Sequence, residues 1–237
     1  GVIQLPTVPR WRKINKIDMG TADKLCIAAL SVETVSKKKG VSYSEVNHIV
    51  VELGGGYNAA MTIEKGKIIN GIGGTIFPGP GYMNAGAMDG EIAYLLRGFE
   101  KVLLFQGGAG DLSGVAGLAR EKFTQASYPT AFNAFVEGIL FAVCSQRAIL
   151  PSREVYLSGR LTGYENIYKP VKTALDQLGY KVSLLPTLSN KSKAAAQGYA
   201  IVGNGSYGGY YEPLVKHMMI DKSEGSVIDH VYWKARM

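Results

Sequence analysis

The chain has 237 residues, a formal net charge of +7 and 46% hydrophobic residues. This length and composition argue against a disordered chain and supply enough apolar residues for a substantial core. The two cysteines both lie in apolar stretches, which argues against a disulfide scaffold or a zinc module.

Glycine is the unusual component, with 30 of 237 residues, about 13%, against a background of about 7%. These glycines follow no collagen-like period. The excess therefore predicts many tight turns, or places where the backbone comes close to a ligand.

In chain order, residues 1–17 contain two prolines and no periodicity, which predicts an extended strap. Hydrophobic spacing then predicts helices at 21–37, 89–98, 130–149, 164–178 and 193–202 and strands at 48–53, 59–63, 67–69, 154–157 and 182–185. Three strands in a meander, followed by helical crossovers, predict an α/β fold with a mixed sheet flanked by helices.

The charge is concentrated near the start of the chain, where residues 1–39 have a balance of +5. Lys37–Lys39 end a predicted helix, where cations complement the helix dipole, so we predict no nucleic-acid partner. The longest apolar helix candidate, Ala131–Leu150, includes Glu137 and Arg147 and is too polar to span a membrane. The first residues also lack the order of a signal peptide, so we expect a cytoplasmic protein with no membrane partner.

Three consecutive glycines, Gly54, Gly55 and Gly56, follow the first predicted strand. Glycine permits positive φ and leaves no side chain between the backbone N–H groups and a ligand, so this loop suits phosphate oxygens. The alternative is a tight hairpin turn, which needs one glycine. The residues alone leave both open.

Leu157-Ser-Gly-Arg-Leu161 forms a second candidate loop, between a predicted strand and a helix. Ligands of open α/β sheets bind at the carboxyl ends of strands, and Arg160 suits a base or a phosphate. The alternative is an ordinary strand-to-helix turn. Glu52, at another strand end, suits Mg²⁺ held through water, or else a salt bridge. The three histidines show no ligand or triad spacing, which favours structural roles.

Taken in order, these segments resemble the second half of the acetate-and-sugar-kinase/actin superfamily, and specifically the archaeal predicted butyrate kinase family. The stretch Lys38–Thr75, which contains His48–Gly56 and Lys65–Gly71, resembles the second phosphate motif of that family. Leu157–Leu161 resembles the adenosine motif, and Ala194–Gly198 resembles the segment that closes the nucleotide pocket. Ile17–Asp23 is similar to the start of the first helix of that half.

The resemblance implies a ribonuclease-H-like (actin-like ATPase) fold, with residues 18–237 as a C-terminal nucleotide-binding domain and residues 1–17 as a strap from a domain that precedes it. It implies an ATP- and Mg²⁺-dependent phosphotransferase of the acetate/butyrate kinase type when full length, with a small carboxylate as acceptor and a possible homodimer. The implied phosphate-binding residues are Gly54, Gly55, Gly56 and Asn58, with Gly74 and Thr75 near the cleft, Ser158, Gly159 and Arg160 at the adenosine, and Glu52 at the water-bound Mg²⁺.

Three departures from the family pattern leave the catalytic residues unidentified. The glycine hairpin of the first phosphate motif is absent from this sequence. Met19 stands where carboxylate kinases carry a histidine, and Asn84 lies where they carry an arginine after a proline-rich loop. The alternative prediction is therefore an ATPase, or a nucleotide-gated regulatory or interaction protein, of the same fold without kinase activity.

Overall fold

The computed structural model describes residues 1–115 and 117–233. The described helices are α1 (Arg10–Lys13), α2 (Ala22–Lys39), α3 (Gly90–Leu96), α4 (Ala109–Leu112), α5 (Pro129–Arg147), α6 (Glu165–Gln177), α7 (Ala194–Ser206) and α8 (Glu212–His217). The strands are β1 (His48–Leu53), β2 (Asn58–Glu64), β3 (Lys67–Ile72), β4 (Glu154–Ser158) and β5 (Lys181–Leu184). Every predicted helix and strand after residue 17 is therefore present, with ends shifted by a few residues.

The strands form one five-stranded sheet in the order β3-β2-β1-β4-β5. β4 and β5 are parallel, with Glu154 opposite Lys181 and Leu157 opposite Leu184. The helix α6 connects them, as a parallel pair requires. The mixed, helix-flanked α/β sheet predicted from the order of elements is confirmed.

The chain divides into two compact units. Of the described residues, the first unit comprises 1–50, 61–72 and 185–233, and the second comprises 51–60, 73–115 and 117–184. The sequence did not predict this division. Residues 51–60 belong to the second unit and residues 61–72 to the first, although both segments lie in one meander of consecutive strands.

In the first unit, α2 packs closely against α7. A Cβ built on Gly198 would lie 2.1 Å from the carbonyl oxygen of Cys26, so only glycine permits the two backbones to approach this closely. Gln197 holds the preceding loop: its Oε1 accepts hydrogen bonds from the backbone N–H groups of Leu188 and Ser189, and its Nε2 donates to the carbonyls of Ser189 and Ser192.

The predicted extended strap, residues 1–17, instead carries a 3₁₀ turn at Val2–Gln4 and the helix α1. Val2, Leu5 and Val8 are buried in the first unit, and the backbone N–H of Val2 donates to the carbonyl of Gly20. Burial of these apolar side chains explains why the segment folds back instead of running extended.

His48 is fully buried in β1, where its Nε2 lies 2.9 Å from the hydroxyl of Ser31. Burial lowers its pKa to about 3, with a smaller contribution from the positive charge of Lys39. The ring is therefore neutral at ordinary pH, which agrees with a structural role.

The second unit has an aromatic core centred on Phe123, whose ring contacts those of Tyr82, Phe132 and Phe135 at centroid distances of 5.6, 5.1 and 5.9 Å.

Within residues 1–115 and 117–233, no helix combines the length and the apolarity needed to cross a membrane. Both cysteines are free, as their positions in apolar stretches predicted.

Candidate functional site

The triple-glycine loop connects β1 to β2 in the second unit. A Cβ on Gly54 would lie 2.1 Å from the carbonyl oxygen of Tyr57, so a tight turn at this position requires glycine. By contrast, a Cβ on Gly56 would have no neighbour closer than the sulfur of Met83 at 4.0 Å. Gly55 and Gly56 are also half-exposed. The backbone of Gly55 and Gly56 is therefore accessible, whereas Gly54 is needed for the geometry of the turn.

Glycine permits positive φ, but none of these three glycines has φ in the left-handed region. Their lack of a side chain is what matters: at Gly54 it makes room for a backbone carbonyl, and at its two successors it leaves the loop open.

The turn after β4 does need positive φ, since Gly159 has φ +97°. A Cβ there would also lie 2.4 Å from the carbonyl oxygen of Leu53 and 2.9 Å from Cγ of Glu52. The turn thus rests directly on the end of β1. Both predicted loops therefore lie side by side at the carboxyl ends of neighbouring strands. In such sheets that is the usual location of a ligand.

Two arginines converge on Gly55. A Cβ on Gly55 would lie 3.4 Å from Cδ of Arg160 and 3.8 Å from Nη2 of Arg120. Nη2 of Arg120 donates a hydrogen bond of 3.2 Å to the carbonyl of Gly55. Both guanidinium groups therefore bring positive charge to the open backbone of this loop.

Arg120 is the residue that sequence reasoning missed. Its guanidinium lies 4.7 Å from the centroid of the Tyr82 ring. Burial raises the pKa of Tyr82, and the positive charge of Arg120 opposes that rise. On α6, Nδ2 of Asn166 donates 2.8 Å hydrogen bonds to the carbonyls of Arg120 and Phe123. These bonds fix the 3₁₀ turn Arg120–Lys122 and so aim its side chain.

Ser158 is the last residue of β4 and is buried, whereas Arg160 is exposed. Glu52 is half-buried beside Gly159. A single carboxylate at this place suits Mg²⁺ held through water, because Mg²⁺ keeps several of its waters in nucleotide sites.

Gly74 and Asn58 are both buried. A Cβ on Gly74 would lie 2.1 Å from Cδ1 of Tyr57, so its small size accommodates that ring. Asn58 is buried, and both polar atoms of its side chain lack a hydrogen-bond partner. Thr75, next to Gly74, is half-buried. Of the predicted phosphate-binding residues, Gly55 and Gly56 are therefore the ones open to a ligand.

The two positions that depart from the carboxylate-kinase pattern are both buried. Asn84 is 1% exposed, and its Nδ2 donates to the carbonyl of Gly74 at 3.2 Å. Met19 is completely buried in the first unit. Neither position presents a polar group to solvent.

Several solved structures share this fold. Acetate kinase from Porphyromonas gingivalis has a TM-score of 0.55 at 16% identity, over 65% of this chain and 43% of that one. Propionate kinase from Francisella tularensis subsp. tularensis SCHU S4 has a TM-score of 0.52 at 20% identity, over 65% of this chain and 43% of that one. Acetate kinase from Entamoeba histolytica has a TM-score of 0.51 at 18% identity, over 64% and 44%. The matched region is therefore less than half the length of these kinases. At such identities the likeness concerns the fold.

A family model described as "Protein of unknown function (DUF1464)" matches residues 1–233. No curated protein matches the sequence.

Proposed function

Since the chain belongs to the DUF1464 family and has the fold of acetate and propionate kinases, we propose that it is the nucleotide-binding half of an ATP-dependent phosphotransferase. The finer assignment is the acetate/butyrate kinase type, with a small carboxylate as phosphoryl acceptor. The observation that carries the proposal is the meeting of Arg120 and Arg160 at the open backbone of Gly55.

The residues at this edge have distinct roles in the proposal. Gly55 and Gly56 leave backbone N–H groups within reach of phosphate oxygens. Arg120 and Arg160 supply positive charge where negative charge collects, and a guanidinium matches phosphate geometry with two parallel donors. ATP with Mg²⁺ supplies the transferable phosphoryl group. Catalysis of such a transfer rests almost entirely on positioning and charge stabilisation.

The first experiment measures binding of Mg-ATP to this chain by isothermal titration calorimetry. We expect saturable binding, weakened about 10- to 100-fold in Arg120→Ala and in Arg160→Ala, since hydrogen bonds to charged groups contribute about 1.5–3 kcal/mol. Arg153→Ala is the matched control, because it removes the same charge from an exposed side chain that donates to the carbonyl of Gly179. Absence of Mg-ATP binding, or equal weakening in all three variants, contradicts the proposal.

The second experiment addresses the acceptor. A coupled assay of ADP production by the full-length protein, with acetate, propionate and butyrate offered in turn, tests carboxylate phosphorylation. We expect ADP production that depends on one of these acids and on Mg²⁺. ADP release that no carboxylate accelerates contradicts the kinase assignment while leaving nucleotide binding intact.

The burial of Asn84 and Met19 favours a second candidate, an ATPase or nucleotide-gated regulator of the same fold. Neither side chain is placed to polarise an acyl acceptor, and such proteins use the nucleotide to drive a conformational change. Acceptor-independent ADP release by the full-length protein would support this candidate.

A further inference from the structure

Both tryptophans of the chain are exposed on the first unit. Trp11 lies in the segment 10–17 and Trp233 in the segment 227–233, and they are 72% and 71% exposed. Tryptophan is highly buried on average in folded proteins, because its ring is large and mostly apolar. The folding of this unit therefore does not explain why both rings face solvent.

Hydrogen bonds join the two segments that carry the tryptophans. Nη2 and Nε of Arg10 donate to the hydroxyl of Tyr232 at 2.7 and 3.1 Å. The backbone N–H of Asn15 donates to the carbonyl of His230, and the side-chain oxygen of Asn15 accepts from the backbone N–H of Tyr232, both at 2.8 Å. The two segments thus form one surface, which we call the tryptophan surface. Its other large exposed apolar side chains are Ile14, Ile17, Val227, Ile228 and Tyr232.

The tryptophan surface is also basic. Residues 1–17 contain four cationic side chains and neither Asp nor Glu. Lys13 is buried. The other three are exposed or half-buried, namely Arg10, Arg12 and Lys16. The second segment contributes the carboxylate of Asp229, which accepts from the backbone N–H of Ser226. The positive charge that the sequence concentrates near its start therefore lies beside exposed aromatic and aliphatic side chains.

We propose that the tryptophan surface binds the surface of an anionic phospholipid bilayer. Indole rings favour the boundary between head groups and acyl chains. Aliphatic side chains enter the acyl region beside them, and basic side chains attract anionic head groups. The exposed isoleucines favour a bilayer over a nucleic acid, because bases stack on aromatic rings and not on branched aliphatic groups.

The expectation of no membrane partner rested on the polarity of the longest helix and on the lack of a signal peptide. Binding at the surface of a bilayer requires neither a spanning helix nor a signal peptide. The proposal is also independent of the nucleotide site, since the tryptophan surface belongs to the first unit and the loops around Gly55 belong to the second.

The intrinsic fluorescence of the unmodified chain tests the proposal, because both of its tryptophans lie on this surface. Vesicles of phosphatidylcholine with phosphatidylserine should shift the emission to shorter wavelength and carry the chain into the pellet on sedimentation. Vesicles of phosphatidylcholine alone should bind at least tenfold more weakly. Absence of binding to the anionic vesicles, or equal binding to both kinds, overturns the proposal. Binding of a single-stranded oligonucleotide in place of the vesicles also overturns it.

Two substitutions locate the contact. Trp11→Ala removes an exposed ring, so its melting temperature should equal that of wild type while its affinity for the anionic vesicles falls at least tenfold. Lys16→Glu reverses a charge and should weaken this binding by a similar factor. Tyr207→Ala and Lys191→Glu are the matched controls, because both residues are exposed in the first unit outside the two segments. Equal weakening in a variant and its control overturns the placement of the contact.

The full-length protein should bind the anionic vesicles as this chain does. If it fails to bind them, the tryptophan surface is covered in the complete protein and the proposal is overturned. Titration calorimetry of Trp11→Ala with Mg-ATP should give the wild-type result, whatever that result is, because the substitution lies in the other unit from the glycine loops. Failure of the bilayer proposal and failure of the proposed phosphotransferase are therefore distinguishable.

Discussion

The triple-glycine loop allows the requirements of folding to be separated from those of ligand binding with two adjacent substitutions. In Gly54→Ala the new methyl would lie 2.1 Å from the carbonyl oxygen of Tyr57, about 1 Å closer than real Cβ contacts allow, so the turn must open. In Gly55→Ala the nearest atom would be Cδ of Arg160 at 3.4 Å, an ordinary contact at the end of a flexible side chain. The first change should damage the fold and the second should not.

The magnitudes follow from these contacts. Overpacking costs about 1–3 kcal/mol or more, and replacing glycine returns about 0.4–1 kcal/mol through the unfolded chain. For Gly54→Ala we expect a net loss of about 2 kcal/mol, which for a chain of this size lowers the melting temperature by roughly 4–8 °C. For Gly55→Ala we expect stability within about 1 kcal/mol of wild type. Its methyl separates a phosphate from the backbone, so affinity for Mg-ATP should fall at least tenfold, about 1.4 kcal/mol.

Thermal unfolding of both variants, with and without Mg-ATP, measures both the stability and the ligand binding, because a ligand that binds only the folded state raises the melting temperature. Titration calorimetry then supplies the affinity. A wild-type melting temperature in Gly54→Ala would refute the account of the turn. Wild-type affinity for Mg-ATP in Gly55→Ala would refute the role of the open backbone.

Four further substitutions test the fold. Gly159→Ala places a Cβ at φ +97°, 2.4 Å from a backbone carbonyl, and should lose about 2–3 kcal/mol in urea unfolding; a wild-type midpoint would contradict the packing of that turn. Because the folded pKa of His48 is about 3 and the unfolded value is about 6.5, the unfolded state binds more protons between these values. The free energy of unfolding should therefore fall as the pH drops through this interval, by roughly 2 kcal/mol between pH 6.5 and 5. His48→Gln should remove that part of the pH dependence. An unchanged slope of stability against pH in this variant would contradict the buried neutral ring. Gly198→Ala should lower the melting temperature, because its Cβ would lie 2.1 Å from a backbone carbonyl oxygen. Gly203→Ala has open space around its Cβ and should raise the melting temperature slightly. Equal effects of the two substitutions would argue against the close contact between α2 and α7.

Periodic elements of this fold were predictable because their apolar spacing is local. The strand His48–Leu53 has the predicted bounds, and the amphipathic helix predicted at 164–178 is α6 at Glu165–Gln177. The short α8 carries too few turns to show a period, and the start of the chain folds through burial that spacing does not reveal. Local patterns therefore predict elements and miss single turns.

The candidate site was predictable in part. Both glycine loops follow buried strands, and that context made them candidate ligand-binding positions beside the alternative of ordinary turns. Their contact joins residues more than a hundred positions apart, and it depends on β1 and β4 being neighbours in the sheet. Arg120 lies in an irregular segment and reaches Gly55 only through the turn that Asn166 holds. No spacing rule connects these residues, so the sequence alone did not identify Arg120.

Much of the glycine excess serves backbone packing instead of ligand binding. A Cβ on Gly108 would lie 2.4 Å from the carbonyl carbon of Met83, and one on Gly79 would lie 2.5 Å from Cα of Gly138. Composition cannot separate these uses, because the same missing side chain permits both.

The contact between Gly159 and Leu53 also has an energetic consequence for ligand capture. Leu53 immediately precedes the glycine loop, so the turn after β4 braces that loop where it leaves the sheet. Glycine-rich loops ordinarily lose much conformational entropy when a ligand orders them. Here the bracing removes part of that freedom during folding, so the proposed phosphate ligand would meet a loop that is already ordered.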